Sequence, residues 1–435
     1  MLISFSFENW MSFRDMTRLS MVASRERQHL ERVPRLQRYQ TRLLPIMALY
    51  GGNASGKTNL FKALNFIKAL VVRGTQPDNF IAVDVFKLRP QPSGYASLFC
   101  IELLINEEIY EFKVRLTHRE ILEERLIHIT SKSERVLYHR QGDTHNLEPS
   151  LLSQDPSLEY AFRGTRDNQL FLTNTVSQQI THFRPVYDWF KETLELVAPD
   201  SRFEAFEHFL DEGHALYGMM NESLPMFDMG IERLGVEELS FESLPLAESL
   251  KVRLKEELRE GMTVRLLVGP LGERLLIARR GGELIAKKLV TYHKQSHGEE
   301  VKFEVRQESD GSQRMIELLP ALIDLAAPSS HKVYVIDELD RSLHVLLTRR
   351  LLERYLSTCA VGSRSQLLLT THDVSLMDQG LFRRDEMWVA ERDPEGVSRL
   401  LALSDYKDAR RDKALLRSYL QGRFGGVPRV VGGVI

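Results

Sequence analysis

One eight-residue segment restricts the possible folds of this chain more than any other feature. Residues 51–58 read GGNASGKT and follow an apolar run, Leu43 to Tyr50, that is typical of a buried β-strand. Apolar residues then recur at helical spacing through residues 57–73. A glycine-rich loop between a strand and a helix turns its backbone N–H groups toward phosphate oxygens. The segment therefore predicts a nucleotide-binding α/β domain.

The residues of this loop have separate expected roles. Lys57 is expected to place its charge on the β- and γ-phosphates, and the hydroxyl of Thr58 is expected to ligate Mg²⁺. The alternative is a chance glycine turn before a helix, which the full match in this setting disfavours. The positions expected to bind the nucleotide are Gly51, Asn53, Ala54, Ser55, Gly56, Lys57, Thr58 and Asn59.

A second apolar run ends in two carboxylates. Val333 to Ile336 reads as a buried strand, and Asp337 and Glu338 follow it directly. At the carboxyl end of a parallel strand, Asp337 is expected to hold Mg²⁺, usually through water. Glu338 is expected to orient or deprotonate the attacking water as general base. The alternative is that the two acids only cap a strand before a turn.

A serine–glycine motif precedes this strand and selects the ABC branch among phosphate-loop ATPases. Ser309, Gly311 and Gln313 open a helix predicted over residues 313–326, and the helix N-terminus makes a second anion site. In the ABC arrangement this motif meets the nucleotide held by a partner subunit, so it predicts a homodimer around two ATP molecules. The alternative is a polar loop whose serine caps the helix.

Three further positions complete the expected site. Asp340 lies where ABC proteins carry the loop that links their two active sites. His372 ends the apolar strand predicted over residues 366–370 and is expected to contact the γ-phosphate or the attacking water. A histidine at a strand end is otherwise an ordinary surface residue. Gln169 is the candidate for the glutamine of the loop expected between the phosphate loop and the serine–glycine motif.

Length and composition give the outline of the chain. It has 435 residues, two cysteines and a formal net charge of −2, so bulk charge indicates no nucleic-acid partner. It shows no secretory leader and no apolar run of the ~18–20 residues that span a bilayer, so a cytoplasmic protein is expected. The predicted domains are an N-terminal lobe over 1–175, a mostly helical insertion over 176–260 and a C-terminal lobe over 261–435.

The distribution of patterns predicts an α/β fold. Alternating residues indicate antiparallel strands over 98–105, 109–116 and 121–129, with a hairpin turn beginning at Asn106. Helices and strands alternate after residue 313, which indicates a largely parallel sheet. The fold expected is therefore an ATPase head with a phosphate-loop sheet and an antiparallel β lobe.

These motifs resemble a known family. They are similar to RecF/SMC-type ATPase heads and, within them, to short stand-alone prokaryotic AAA/ABC-like ATPases of anti-phage systems such as PARIS and Rlo. The resemblance implies a head closed by its N- and C-terminal lobes and a separate effector, typically a TOPRIM or RloB-like nuclease. The segments that carry it are residues 7–13, 51–60, 309–314, 336–344, 370–373 and 419–428.

Two functions follow from this resemblance. The first is an ATP-gated sensor or regulatory subunit of a defence system that controls a separate nuclease. The stretch after His372 is too short for an added nuclease domain, and no sustained heptad or Cys-x-x-Cys hook occurs. The alternative is a RecF-like ATP-dependent DNA-binding repair protein. A basic segment, Lys407 to Arg429, contacts nucleic acid, a partner or phosphates, or is only a solvated helix face.

Overall fold

The computed structural model describes residues 1–88, 95–142, 144–199, 215–268, 273–406 and 415–426. The chain divides into two compact units. The first unit comprises Met1–Pro199, Leu325–Asp340 and Arg349–Ile435, and the second comprises Asp200–Asp324 and Arg341–Thr348.

Strands and helices are numbered along the chain. The strands are β1 (Leu2–Glu8), β2 (Thr17–Ser20), β3 (Arg35–Leu36), β4 (Thr41–Arg42), β5 (Ile46–Tyr50), β6 (Ser97–Ile105), β7 (Glu108–Leu116), β8 (Ile121–Ile129), β9 (Glu134–Gln141), β10 (Thr144–Leu147), β11 (Leu194–Val197), β12 (Ile231–Ser240), β13 (Thr263–Val268), β14 (Glu273–Arg280), β15 (Glu283–Lys294), β16 (Glu300–Glu304), β17 (Val333–Ile336), β18 (Gln366–Thr370), β19 (Met387–Arg392) and β20 (Ser398–Ala402). The α-helices are α1 (Lys57–Arg73), α2 (Pro149–Gln154), α3 (Ser157–Arg163), α4 (Phe171–Ser177), α5 (Arg184–Asp188), α6 (Ala215–Ser223), α7 (Glu248–Glu257), α8 (Asp310–Ala326), α9 (Val345–Thr358) and α10 (Leu415–Leu420).

The first unit contains a seven-stranded antiparallel sheet in the order β10-β9-β8-β7-β6-β1-β2. Its hairpin between β6 and β7 confirms the expected turn, because Ile105 pairs with Glu108 and only two residues lie between them. Asn106 and Glu107 both have positive φ angles, of 51° and 62°, as a two-residue hairpin turn requires.

A six-stranded sheet in the same unit positions the phosphate loop. Its order is β11-β17-β18-β5-β19-β20, and every neighbouring pair is parallel except β19 with β20. Strand β5 therefore lies inside the sheet, which explains why all five of its residues are buried. The expected parallel sheet is confirmed, and the carboxyl ends of β17, β18 and β5 share one edge.

The core of the first unit joins α1 to both sheets. Leu60, Leu64 and Ile67 of α1 are buried in one apolar cluster with residues of the two sheets, including Phe99 and Val335. Helix α1 confirms the amphipathic helix expected over residues 57–73. Burying this stripe fixes the orientation of the helix whose first turn carries Lys57 and Thr58.

The second unit is built on a separate antiparallel sheet. Strands β12, β15, β14 and β13 pair in that order, and β16 pairs with β15. Its own small core includes Phe241, Leu254 and Ile277. The serine–glycine motif at the start of α8 belongs to this unit.

The structure divides the chain differently from the expected domains 1–175, 176–260 and 261–435. Part of the segment expected to be a helical insertion is strand β11, which pairs with β17 in the main sheet of the first unit. Another part is the ten-residue strand β12. Its apolar residues, Ile231, Leu234, Val236 and Leu239, are spaced unevenly and fit a helix about as well as a strand, so only the pairing with β15 decides.

Candidate functional site

The phosphate loop, defined as residues 51–58, needs its glycines for steric reasons. Gly51 has a φ of 149° and Gly56 a φ of 112°. A Cβ on Gly51 would lie 2.5 Å from the carbonyl oxygen of Ala390, and one on Gly56 would lie 2.6 Å from Oγ of Ser398. Both positions therefore exclude a side chain, and the loop backbone lies directly against β19 and β20.

Lys57 is the buried cation of the loop. Its side chain is only 5% exposed, and its Nζ donates hydrogen bonds to the carbonyl oxygens of Gly51 at 2.7 Å and Gly52 at 3.3 Å. Burial lowers the pKa of Lys57, while the nearby charges of Asp337, Glu338 and others oppose that shift. An anion bound in the loop would favour the charged ammonium and restore the ordinary pKa.

Ser55 is a second residue of the loop whose side chain could bind a ligand. Its hydroxyl is buried, and no hydrogen-bond partner for it occurs among the residues that the structure describes. A buried hydroxyl without a partner costs free energy, so a phosphate oxygen accepting from it would remove that cost. This geometry suits the expected role of the loop.

The first carboxylate, Asp337, is fully buried at the end of β17. Its Oδ1 accepts a hydrogen bond of 2.5 Å from Oγ1 of Thr370, and its Oδ2 has no hydrogen-bond partner in the described part of the chain. A buried carboxylate oxygen without a partner is a ligand suited to a hard cation. Thr58 lines the cavity beside the loop and offers the hydroxyl that would complete such a site.

No cluster of three or more His, Cys, Asp or Glu side chains suitable for a metal occurs in the described ranges. Mg²⁺ keeps several waters and takes substrate phosphate oxygens as further ligands, so it does not require a cage of side chains. The residues present therefore fit the metal expected from the sequence.

The second carboxylate, Glu338, faces the cavity. Its side chain is 34% exposed, and its Oε1 lies 3.6 Å from Nε2 of His372. Glu338 has a φ of 49°, which is unusual for a residue other than glycine. Its backbone N–H donates to Oγ1 of Thr370 at 2.8 Å, so this conformation is held by a specific contact.

Asp340 and His372 are linked through the backbone. The N–H of His372 donates to Oδ2 of Asp340 at 3.2 Å. Oδ1 of Asp340 is buried, with no hydrogen-bond partner among the described residues. The structure thus brings Asp337, Glu338, Asp340 and His372 to one edge of the sheet next to the phosphate loop.

The cavity beside the loop has a volume of about 570 Å³, within the range of small-molecule sites. Asn53, Ala54, Asn59, Glu338 and His372 line it, as the sequence predicts. Met11 and Ser12, from the segment 7–13 that carries the resemblance, also line it. So do residues that no sequence motif indicates, namely Asp84, Val85, Lys87, Leu88, Arg392 and Gly396.

Three polar side chains bind these separate segments to the loop. The amide of Asn59 donates to Oγ of Ser12 at 2.8 Å, and Oγ of Ser398 is 2.8 Å from the same oxygen. Asn59 therefore anchors the first turn of α1 as well as lining the cavity. No local pattern announces this contact, because Ser12 and Ser398 are ordinary polar residues far apart in sequence.

The segment that follows α10 also contacts the phosphate loop. The carbonyl oxygen of Gly426 accepts a 2.8 Å hydrogen bond from the N–H of Gly52. A Cβ on Gly426 would lie 2.4 Å from Cγ1 of Val389, so only glycine fits. Of the expected basic segment, Arg417 and Arg423 are described. Lys407, Arg410, Arg411, Lys413 and Arg429 lie outside the described residues.

The serine–glycine motif has well-defined geometry within the second unit. Oγ of Ser309 accepts from the N–H of Ser312 at 3.1 Å, so Ser309 caps α8. The side chain of Gln313 donates to the carbonyl oxygen of Glu308 at 2.9 Å. A Cβ on Gly311 would lie 2.7 Å from the carbonyl oxygen of Ser342. The capping role is therefore present, and any contact with a nucleotide stays a prediction.

Gln169 lies in the turn before α4, where its carbonyl oxygen accepts from Nη1 of Arg140 at 2.7 Å. Its side chain is 3.5 Å from Oδ1 of Asn174. Gln169 is not one of the residues that line the cavity. Its expected contact with the nucleotide therefore has no support in this arrangement.

The sheet, the loop and the carboxylates define a nucleotide-binding protein of the phosphate-loop class. The chain belongs to the family described as "AAA domain, putative AbiEii toxin, Type IV TA system", whose model matches residues 46–378. No curated protein matches the sequence. No helix in the described ranges is long and apolar enough to cross a membrane.

Two solved structures of SMC heads are similar to this chain over most of its length. One is the SMC head bound to the C-terminal winged-helix domain of ScpA, with 12% identity, a TM-score of 0.39 and coverage of 93% of this chain and 98% of that one. The other is the SMC head domain from Thermotoga maritima, with 13% identity, a TM-score of 0.34 and coverage of 92% and 98%. At these TM-scores the likeness supports no functional conclusion.

Proposed function

We propose that the first unit binds ATP with Mg²⁺ in the cavity beside the phosphate loop and hydrolyses its terminal phosphate bond. The supporting observation is a pair of buried oxygens, Oγ of Ser55 and Oδ2 of Asp337, that have no hydrogen-bond partner among the described residues. They lie at an edge that also holds Lys57 and Glu338. Membership of an AAA domain family supports the same chemistry.

The side chains divide the work of this reaction. Lys57 and the loop N–H groups stabilise the negative charge of the phosphates, since the loop fixes their positions before the anion binds. Glu338 accepts the proton of the water that attacks the γ-phosphorus, while the bond from that phosphorus to the oxygen retained by ADP breaks. His372, beside Glu338, contacts the same water or the γ-phosphate. Bound Mg²⁺ would neutralise charge on the β- and γ-oxygens.

Glu338→Gln tests this proposal. We expect hydrolysis, measured as phosphate release, to fall by about 10²–10⁴-fold while binding of ATP persists, because the amide cannot accept a proton. Glu159→Gln, on an exposed face of α3, is the matched control and should hydrolyse at the wild-type rate. Equal rates in Glu338→Gln and wild type would overturn the role of Glu338.

We further propose that two protomers close around two ATP molecules and that Ser309, Gly311 and Gln313 of each protomer contact the nucleotide of the other. The support is the capped N-terminus of α8, a helix of 17 residues, because the N-terminus of a helix attracts anions. This proposal explains why a motif remote in sequence from residues 51–58 resembles a nucleotide-contacting one.

Two substitutions of Ser309 separate closure from folding. Ser309→Arg blocks closure by size, and Ser309→Asp retains a good helix cap but places negative charge against phosphate. Both should prevent ATP-dependent dimerisation in a Glu338→Gln background, measured by light scattering, and leave binding by the monomer intact. Ser243→Arg, exposed in the same unit, is the control. Dimers in both Ser309 variants would refute this contact.

We also propose that closure regulates a separate nuclease in an anti-phage system. The support is the family description, which names a toxin of a type IV toxin–antitoxin system, and the resemblance of residues 370–373 and 419–428 to ATPases of such systems. Co-purification with the product of a neighbouring gene, present in wild type and changed in Glu338→Gln, tests it. ATP-dependent binding to duplex DNA with steep salt dependence would instead favour the RecF-like alternative.

A further inference from the structure

The acidic segment is defined as residues 337–340. Each of its residues is hydrogen-bonded to a residue at or just after the end of strand β18. The register pairs Ile336 of β17 with Leu369 of β18, so the segment leaves the sheet beside Thr370. Thr370 is 4% exposed and is the last residue of its strand. From this position its short side chain reaches the start of the segment.

The hydroxyl of Thr370 makes two different hydrogen bonds. It donates to Oδ1 of Asp337 at 2.5 Å and accepts from the N–H of Glu338 at 2.8 Å. A hydroxyl has one proton, so donation to Asp337 fixes which carboxylate oxygen is engaged. The other oxygen, Oδ2, is left without a partner in the described part of the chain.

The backbone near Thr370 extends this contact along the segment. The carbonyl oxygen of Thr370 accepts from the N–H of Leu339 at 3.1 Å. Two residues further on, the N–H of His372 donates to Asp340. The four residues 337–340 are thus each bonded to residue 370 or residue 372, and the φ of 49° at Glu338 is stabilised from the same side.

We propose that Thr370 is a positioning residue that orients the metal-binding oxygen of Asp337 and the carboxylate of Glu338 together. The proposal rests on the proposed ATPase function and goes beyond it, because Thr370 is not one of the residues that line the cavity. A change at His372 on loss of the γ-phosphate would act on both acids through the same two-residue stretch.

Thr370→Val tests the proposal, because valine has nearly the same shape as threonine but can neither donate nor accept a hydrogen bond. We expect the Mg²⁺ concentration for half-maximal hydrolysis to rise and kcat to fall, each by about 10–100-fold, as for other residues that orient a metal ligand. Binding of a labelled ATP analogue without Mg²⁺ should stay within about threefold of wild type, since Lys57 and the loop N–H groups are unchanged.

Two further variants separate positioning from mere stability. Thr370→Ser keeps the hydroxyl and should restore most of both quantities. Thr175→Val removes a buried hydroxyl that donates to the carbonyl oxygen of Leu172 at 2.7 Å, and should leave the Mg²⁺ dependence unchanged. Equal Mg²⁺ dependence in Thr370→Val and wild type would overturn the proposal. So would a Thr370→Ser variant whose kcat and Mg²⁺ dependence are no closer to wild type than those of Thr370→Val.

The same comparison remains decisive if the wild-type protein binds ATP without hydrolysing it. Titration with Mg²⁺ and a non-hydrolysable ATP analogue then measures the metal effect directly. A wild type that binds but does not hydrolyse contradicts the proposed function. Thr370→Val that binds this analogue with the wild-type Mg²⁺ dependence contradicts the role of Thr370.

Discussion

Gly56→Ala should destabilise the first unit through two separable causes. Its φ of 112° is a conformation that residues with a Cβ rarely adopt, which costs roughly 1–2 kcal/mol. Its Cβ would also lie 2.6 Å from Oγ and 2.9 Å from Cβ of Ser398, and such overpacking costs about 1–3 kcal/mol. The free energy of unfolding should therefore fall by roughly 2–5 kcal/mol.

The clash with Ser398 makes the prediction sharper. Ser398→Gly removes both clashing atoms but leaves the backbone strain, so Gly56→Ala with Ser398→Gly should be more stable than the sum of the single effects by about 1–3 kcal/mol. The chain has three tryptophans, Trp10, Trp189 and Trp388, and all belong to the first unit. Tryptophan fluorescence in a urea titration therefore reports on that unit.

Gly362→Ala, in the same unit and at a position with no described atom within 4 Å of the new Cβ, is the control and should unfold like wild type. Strictly additive effects of Gly56→Ala and Ser398→Gly would refute the reasoning, because they would show that the loop does not lie against β20 as described.

Three other outcomes are expected. Lys57→Ala should weaken ATP binding at least about tenfold in a calorimetric titration, because the buried cation bonded to the loop carbonyls is lost. Arg392, in β19, lies on the side of β5 away from Glu338 and His372, which are expected at the γ-phosphate. Arg392→Ala should therefore weaken binding of ATP more than binding of inorganic triphosphate, which has no nucleoside to reach that side. Burial raises the pKa of Glu386 from 4.5 to about 7, so its folded form holds a proton longer. The unfolding free energy should therefore fall as the pH rises from about 4.5 to 7, and Glu386→Gln should flatten this slope in urea titrations.

Local sequence determines much of this fold and of the site. The phosphate loop, α1 and the strands that end at Ile336 and Thr370 follow from apolar periodicity, glycine and charge within short windows. These elements also place Lys57, Asp337 and Glu338 together, because adjacent parallel strands end at one edge. The hairpin at Asn106 follows from its turn residues.

The remainder depends on tertiary contacts that short windows do not contain. Ser398 lies near the loop because β20 pairs with β19, the neighbour of β5, whereas Ser12 and Gly426 come from segments outside that sheet. Thr370 looked like one more residue of an apolar strand, although its hydroxyl bonds both acids. The uneven spacing of the apolar residues of β12 concealed a strand, since it fits a helix about as well, and only the pairing with β15 decides.

Strand β5 carries the phosphate loop, yet both its neighbours in the sheet come from the last part of the chain, β18 at residues 366–370 and β19 at residues 387–392. During translation, the loop therefore emerges from the ribosome long before the strands that flank it. Such distant pairing slows folding, because a long loop must close before any contact forms. The lining of the cavity is therefore incomplete until Arg392 and Gly396 have left the exit tunnel.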